Sequence, residues 1–110
     1  MRAGDLVDVD FGVPVGSEPG WFRPAIVVTA SAYLEAQPRT LHVVPLTTNT
    51  RRLMLSEVQI DPGETDRPSV AQCHICQCIS RERIIAEWGN VGPATLAQVR
   101  SVLADLLDIG

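Results

Sequence analysis

The sequence predicts a mainly β fold (α+β): a small, closed or partly closed β-barrel with short helices and a C-terminal amphipathic helix. Three observations point there. Short apolar or alternating runs recur along the chain and are separated by clusters of Gly, Pro, Asn and Asp, the pattern of many short strands. One segment, near the C-terminus, repeats its apolar residues at three- and four-residue steps. And 110 residues give room for one domain, spanning 1–110, with a single small core.

Residues 5–11 open the fold. Val7, Val9 and Phe11 alternate with Asp8 and Asp10, so one face is apolar and the other carries carboxylates, as in a half-buried strand. Paired carboxylates can do acid–base work, but no histidine or other metal-ligand partner stands near these two in sequence, and a solvated strand face is the preferred reading. Residues 12–20 form a loop. Residues 25–29 are almost continuously apolar, as a strand central in its sheet would be. Residues 31–37 read as one or two helical turns, capped by Ser31 and closed by Pro38, and residues 40–46 as another mostly apolar strand. Residues 53–60 alternate in part, as a strand containing a bulge does. Residues 61–68 are turn-rich and hold neither a phosphate-cradling glycine pattern nor a Walker-type lysine. Residues 69–79 read as one strand, Ser80 as the cap of a helical turn, and residues 84–91 as a last short strand containing Trp88. Gly92 and Pro93 begin a helix whose stripe is Leu96, Val99, Leu103, Leu106 and Leu107, ending near Ile109.

Nine basic residues, all arginine, against thirteen acidic ones give a formal charge of −4. Phosphate binding usually shows as a basic surface, so a nucleic-acid function requires these arginines to gather locally; the acidic balance also fits a partner with basic segments. No apolar run is long enough to span a membrane. Met1 to Asp5 lead straight into a strand pattern without an apolar leader, so a cytoplasmic location is expected. The three cysteines, Cys73, Cys76 and Cys78, form an odd cluster that argues against a disulfide scaffold. Together with His74 they have the element types of a zinc site. In an extended segment, however, Cys73 points away from His74, Cys76 and Cys78, no Gly or Pro is present to make a turn, and His42 is poorly placed to complete the set. No metal is expected. The thiols should be buried or half-buried, with Cys76 and Cys78 unbonded neighbours on one face.

Two stretches carry candidate chemistry. In the first, the loop Gly16-Ser17-Glu18-Pro19-Gly20-Trp21-Phe22 ends abruptly at Arg23-Pro24. Pro24 pushes Arg23 into extended geometry. A guanidinium on so constrained a backbone suits a phosphate, which its planar fork of donors can grip; the bland alternative is a solvated arginine at a strand start. In the second, Thr47-Thr48-Asn49-Thr50-Arg51-Arg52 crowds hydroxyls, an amide and two guanidinium groups at a strand end. These can donate to phosphate oxygens, or they form a polar turn. Of Trp21 and Phe22, one either stacks a base or plugs the barrel end, with Trp21 favoured as the exposed ring.

The run Gly16-Ser17-Glu18-Pro19-Gly20, then Arg23-Pro24, then an aliphatic strand resembles the signature loop of the MazF/PemK-type toxins, small ribonucleases of bacterial toxin–antitoxin pairs. Residues 2–11 resemble the first strand of that family. Val43-Val44-Pro45-Leu46-Thr47, Ser69-Val70 and Ile79-Ser80-Arg81-Glu82-Arg83-Ile84 also match, so the resemblance covers nearly the whole chain. There are two departures. Ile75-Cys76-Gln77 stands where the family often shows Gln-x-Arg, and Trp21 and Phe22 stand where it often has small or polar residues. The resemblance implies an SH3-like β-barrel of the CcdB/MazF type, a homodimer, and metal-independent cleavage of single-stranded RNA by its own 2′-hydroxyl, giving a 2′,3′-cyclic phosphate and no role for a cofactor. It implies Arg23 and Thr47 as catalytic residues, with Ser17 positioning the phosphate; Glu18, Thr48, Asn49 and Gln77, and Trp21 through its exposed ring, are expected as further substrate contacts. It also implies an antitoxin partner whose disordered tail folds over the RNA groove. Two other readings stand beside it. One is a non-enzymatic inhibitor of the related CcdB type, binding a protein target such as DNA gyrase, although that type has a tryptophan near a C-terminus that here reads Leu106-Leu107-Asp108-Ile109-Gly110. The other is a plain RNA- or protein-binding barrel, which the acidic balance and the missing Gln-x-Arg pattern favour.

Overall fold

Alternation in the first strand organises the two faces of the sheet. In β1 (Asp5–Asp10), Val7 and Val9 join Phe11 on one face, while Leu6 is buried on the other. The structure, a computed structural model, describes residues 1–49, 54–60 and 68–109. After β1 come β2 (Phe22–Val27), α1 (Ser31–Leu34), β3 (Thr40–Thr47), β4 (Glu57–Ile60), β5 (Ser69–Gln72), β6 (Gln77–Ser80), β7 (Ile84–Asn90) and α2 (Gly92–Leu106). All described strand pairings are antiparallel, and the path of the sheet runs β4-β5-β3-β2-β1-β7, with β6 added to β3.

The central strands are buried on both faces, which explains their near-continuous apolar runs. On one face Leu6, Ile26, Val44 and Leu46 pack with Val99 of α2; on the other Val7, Val9, Val27 and Val43 pack with Leu34 of α1. Pro93 lies in the first turn of α2, where its missing N–H costs nothing. Only the inner part of the predicted stripe is used. Leu96, Val102 and Leu103 pack against the core beside Val99, whereas Leu106 and Leu107 are exposed.

Three expectations are corrected. The barrel does not close among the described residues: β4 and β7 end the strand path and do not pair. The outer edge of β3 forks instead, with Leu46 and Thr47 pairing with β5 and Thr40–Val43 with β6. Pro45 sits at the fork, where its lack of an N–H removes no ladder bond. Second, residues 69–79 are two strands rather than one. A single 3-10 turn, Cys73–Ile75, separates them, although no glycine or proline marks it. Ser56 fixes that turn, accepting at its carbonyl from the Cys73 N–H (3.0 Å) and placing its Oγ 3.0 Å from His74 Nδ1. Third, the cap of α1 is Ala30, not Ser31; the Ser31 hydroxyl accepts from the Ala3 N–H at 3.0 Å instead. The strand read over 53–60 shortens to β4, Leu53 lies outside the described residues, and Leu55 is fully exposed. The loop read over 61–68 falls almost wholly outside them. The cap expected of Ser80 is present, its Oγ accepting from the Glu82 N–H at 3.3 Å.

Leu6 is fully buried, and Leu6→Ala removes side-chain atoms from the centre of one core cluster. The expected loss is about 2–5 kcal/mol, read from the urea midpoint at unchanged m. Cys73 gives a pH signature. Burial, chiefly, pushes its thiol pKa up to about 11 from the ordinary 9.0. The unfolded chain therefore loses this proton first as pH rises. Stability is fully present below about pH 9 and declines between about pH 9 and 11. Denaturation midpoints across that window should fall, and Cys73→Val should flatten the slope.

Candidate active site

The loop of residues 12–20 joins β1 to β2 and is closed at its base by backbone bonds. The Phe11 N–H donates to the Trp21 carbonyl (2.8 Å) and the Trp21 N–H to the Gly12 carbonyl (2.6 Å). These bonds hold Trp21 in the left-handed region, φ 58, a conformation that a bulky residue keeps only when its surroundings over-determine it. Gly20 is required by space: a Cβ there would lie 2.4 Å from the Pro14 ring. Trp21 and Phe22 are both exposed, at 60% and 70%, so neither plugs the end of the sheet.

Arg23 lies one residue inside β2, earlier than the apolar run alone indicated, and its surroundings follow from Pro24. The Val28 N–H donates to the His42 carbonyl at 3.0 Å, which makes the even-numbered pairs of the β2–β3 ladder the hydrogen-bonded ones. The last pair of that ladder is Ala25↔Pro45; its register continued by one step would set Pro24 opposite Leu46. Proline has no N–H, so the Leu46 carbonyl loses its ladder donor. The Arg23 guanidinium replaces it, donating from Nε at 3.3 Å and from Nη2 at 2.8 Å. Nη2 donates also to Oε1 of Gln72, at the end of β5. Arg23 is half-buried, and burial lowers its pKa, yet a guanidinium stays a cation in proteins. Its partners here are neutral. Among the described residues it meets no carboxylate, and Nη1 has no acceptor. A half-buried cation held by neutral acceptors keeps its charge for an anionic guest.

Thr47 comes to the same place. It directly follows Leu46, whose carbonyl Arg23 holds, and it pairs with Val70 of β5, two residues before Gln72. The Thr47 Oγ1 accepts from the Asn49 N–H at 3.2 Å, a local turn bond that leaves the hydroxyl hydrogen available to donate outward. Thr48 and Asn49 follow, both exposed. Arg51 and Arg52 lie outside the described residues. Ser17, Glu18 and Gln77 meet in a second place: with Pro19, Ile75 and Cys76 they line an open cleft of ≈ 340 Å³. The 3-10 turn that builds its far wall begins directly after Gln72. The site residues expected from sequence thus fall into two neighbouring groups, with Trp21 on the rim of the loop.

Residues 2–107 match a sequence family described as PemK-like, MazF-like toxins of type II toxin–antitoxin systems. The chain belongs to that family. It is 32% identical over 115 aligned positions to endoribonuclease MazF9 of Mycobacterium tuberculosis, covering 99% of this chain and 98% of that one. Among solved structures it resembles MazF of Deinococcus radiodurans, with TM-score 0.85 and 27% identity over 98% of this chain and 96% of the other. It also shares the fold of a mycobacterial endoribonuclease in complex with its cognate antitoxin, with TM-score 0.79 and 22% identity over 100% and 97%. These relatives favour the nuclease type over the gyrase-binding alternative, and the α+β fold of MazF is the one observed, with the sheet forked rather than closed.

The cysteines divide otherwise than a straight strand would divide them. Cys73 is buried, Cys76 is half-buried against the same core cluster, and Cys78 is exposed opposite His42 on β3. All three are free thiols. The turn at Cys73–Ile75 removes the geometric ground on which zinc was set aside. Among the described residues, no three His, Cys, Asp or Glu side chains converge as a metal site requires.

Sequence reasoning missed Gln72. Nothing in its own neighbourhood marks it; it becomes visible only once β5 is known to pair beside Thr47. The proline-dependent vacancy at Leu46 is directly testable. Pro24→Ala returns an N–H to the ladder, so hydrogen exchange should show a protected amide at position 24. Unfolding free energy should change by no more than about 1 kcal/mol.

Proposed function

We infer that the protein is a metal-independent endoribonuclease toxin that cleaves single-stranded RNA at the Arg23–Thr47 site. The observation that carries this reading is the Arg23 guanidinium: neutral groups anchor it, no carboxylate among the described residues pairs with it, and it binds the carbonyl of the residue directly before Thr47. Family membership supplies the reaction class. The RNA's 2′-hydroxyl oxygen attacks the adjacent phosphorus. The bond from phosphorus to the 5′-oxygen breaks, and the proton lost by the 2′-hydroxyl balances the one gained by the leaving 5′-oxygen. The products are a 2′,3′-cyclic phosphate and a 5′-hydroxyl end.

In this scheme Arg23 Nη1 and the Thr47 hydroxyl donate to the non-bridging phosphate oxygens, where charge builds in the transition state. Arg23 acts electrostatically, since a guanidinium does not give up its proton. Thr48 and Asn49 hold the strand beyond the scissile phosphate. Ser17, Glu18 and Gln77 contact a splayed base in the adjoining cleft, where hydrogen bonds to base edges read sequence. Trp21 offers its exposed ring to a neighbouring base, a contact worth about 1–3 kcal/mol. With an overall acidic chain, affinity depends on these local contacts more than on a basic surface.

The toxin–antitoxin class and the mycobacterial complex support a partner antitoxin that covers this groove, and the family resemblance supports a homodimer. No helix among the described residues is long and apolar enough to cross a membrane, and messenger RNA as substrate supports a cytoplasmic site of action.

The test is digestion of a long unstructured RNA in EDTA with end-group analysis. Wild type should yield 2′,3′-cyclic phosphate and 5′-hydroxyl ends. Arg23→Ala should lower cleavage by about a hundredfold or more, and Thr47→Ala by about ten- to a hundredfold. Undiminished cleavage by both variants rejects the assignment.

A further inference from the structure

Gln72 ends β5 and is half-buried. Its Oε1 accepts from Arg23 Nη2. The orientation of its amide follows from chemistry: a guanidinium has only donors, so the atom facing it is the oxygen. The Leu46 carbonyl already takes the Nε–Nη2 edge of Arg23. One carbonyl on one edge leaves the planar head free to pivot about it. Gln72 accepts from Nη2 as a second anchor, carried on another strand, and removes that freedom, leaving Nη1 without an acceptor among the described residues.

We propose that Gln72 is a positioning residue for Arg23. It fixes the guanidinium plane so that Nη1 meets the RNA phosphate, and, being neutral, it does so without cancelling the charge. A glutamate in its place would hold the same geometry but form an ion pair. Removing the side-chain acceptor and adding a charge therefore have different consequences. The proposal rests on the reading of Arg23 as the phosphate-binding group.

Two measurements test it. In guanidinium ¹⁵N–¹H spectra, wild-type Arg23 should show hindered rotation, with separate Nη signals; in Gln72→Leu they should merge. In RNA cleavage, Gln72→Leu should lower kcat by about ten- to a hundredfold, as small misplacements of a reacting group do, with KM within about twofold. Gln72→Glu should instead raise KM by about tenfold through partial neutralisation of the phosphate-binding charge. A purely structural role predicts no such split between the two variants. An unchanged Arg23 spectrum in Gln72→Leu, or unchanged kcat and KM in both variants, overturns the proposal. Should Gln72→Leu fail to fold, the KM of Gln72→Glu decides the matter. If wild type cleaves no RNA, the nuclease reading fails, while the spectra still decide whether Gln72 holds Arg23.

Discussion

The candidate site depends on one missing hydrogen-bond donor. Pro24 stands in a strand with another strand on each side, a place where a proline normally costs a ladder bond. The cost falls on the Leu46 carbonyl, and the neighbouring guanidinium meets it. Two adjacent residues thus act together. Pro24 removes the backbone donor and restricts the φ and ψ of Arg23; Arg23 then fills the vacancy with its side chain. A buried carbonyl left without a donor would cost about 1–3 kcal/mol, enough to hold a flexible side chain in one place. Arginine is the natural replacement, because it satisfies that carbonyl and Gln72 and still has donors to spare.

The same arrangement settles the electrostatics. Half-burial raises the cost of an isolated cation, and most proteins answer that cost with a carboxylate. Among the described residues Arg23 has a carbonyl and an amide instead. Both are dipoles that stabilise the guanidinium without neutralising it. The charge therefore stays directed at whatever approaches Nη1, in a chain whose overall charge would repel RNA. The acidic balance and a phosphate site are compatible because the relevant field is local.

Much of the fold was legible from period alone. The alternation Val7-Asp8-Val9-Asp10-Phe11 and the apolar runs after Pro24 and Thr40 report which residues face the core, and the structure places them there. Gly92-Pro93 reports the start of α2. What could not be read depends on partners distant in sequence. The turn at Cys73–Ile75 is held by Ser56, seventeen residues before it begins, so local composition carries no sign of it. Leu106 and Leu107 continue the helical stripe yet are exposed, because period alone does not say how much of a stripe the core covers. A loop motif and a strand end single out Arg23 and Thr47 as candidates in the sequence. Gln72 is not singled out, because its role arises only from the pairing of β5 with β3.

That pairing is also why the sheet forks. β3 is longer than any single neighbour on its outer edge, and the chain leaves it at Gln72, turns over Cys73–Ile75 and returns as β6. A closed barrel would continue one partner along the whole edge, whereas here β5 pairs only with Leu46 and Thr47 of β3 and β6 only with Thr40–Val43. The fork places a side-chain amide at the departure point and an open cleft just beyond it, lined by Ile75, Cys76 and Gln77 from the turn and by Ser17, Glu18 and Pro19 from the loop. The departure from the predicted barrel and the presence of a candidate site are thus the same structural event. The strand change that breaks the regular hydrogen-bond pattern brings Gln72 to Arg23 and sets the turn that walls the cleft directly after it.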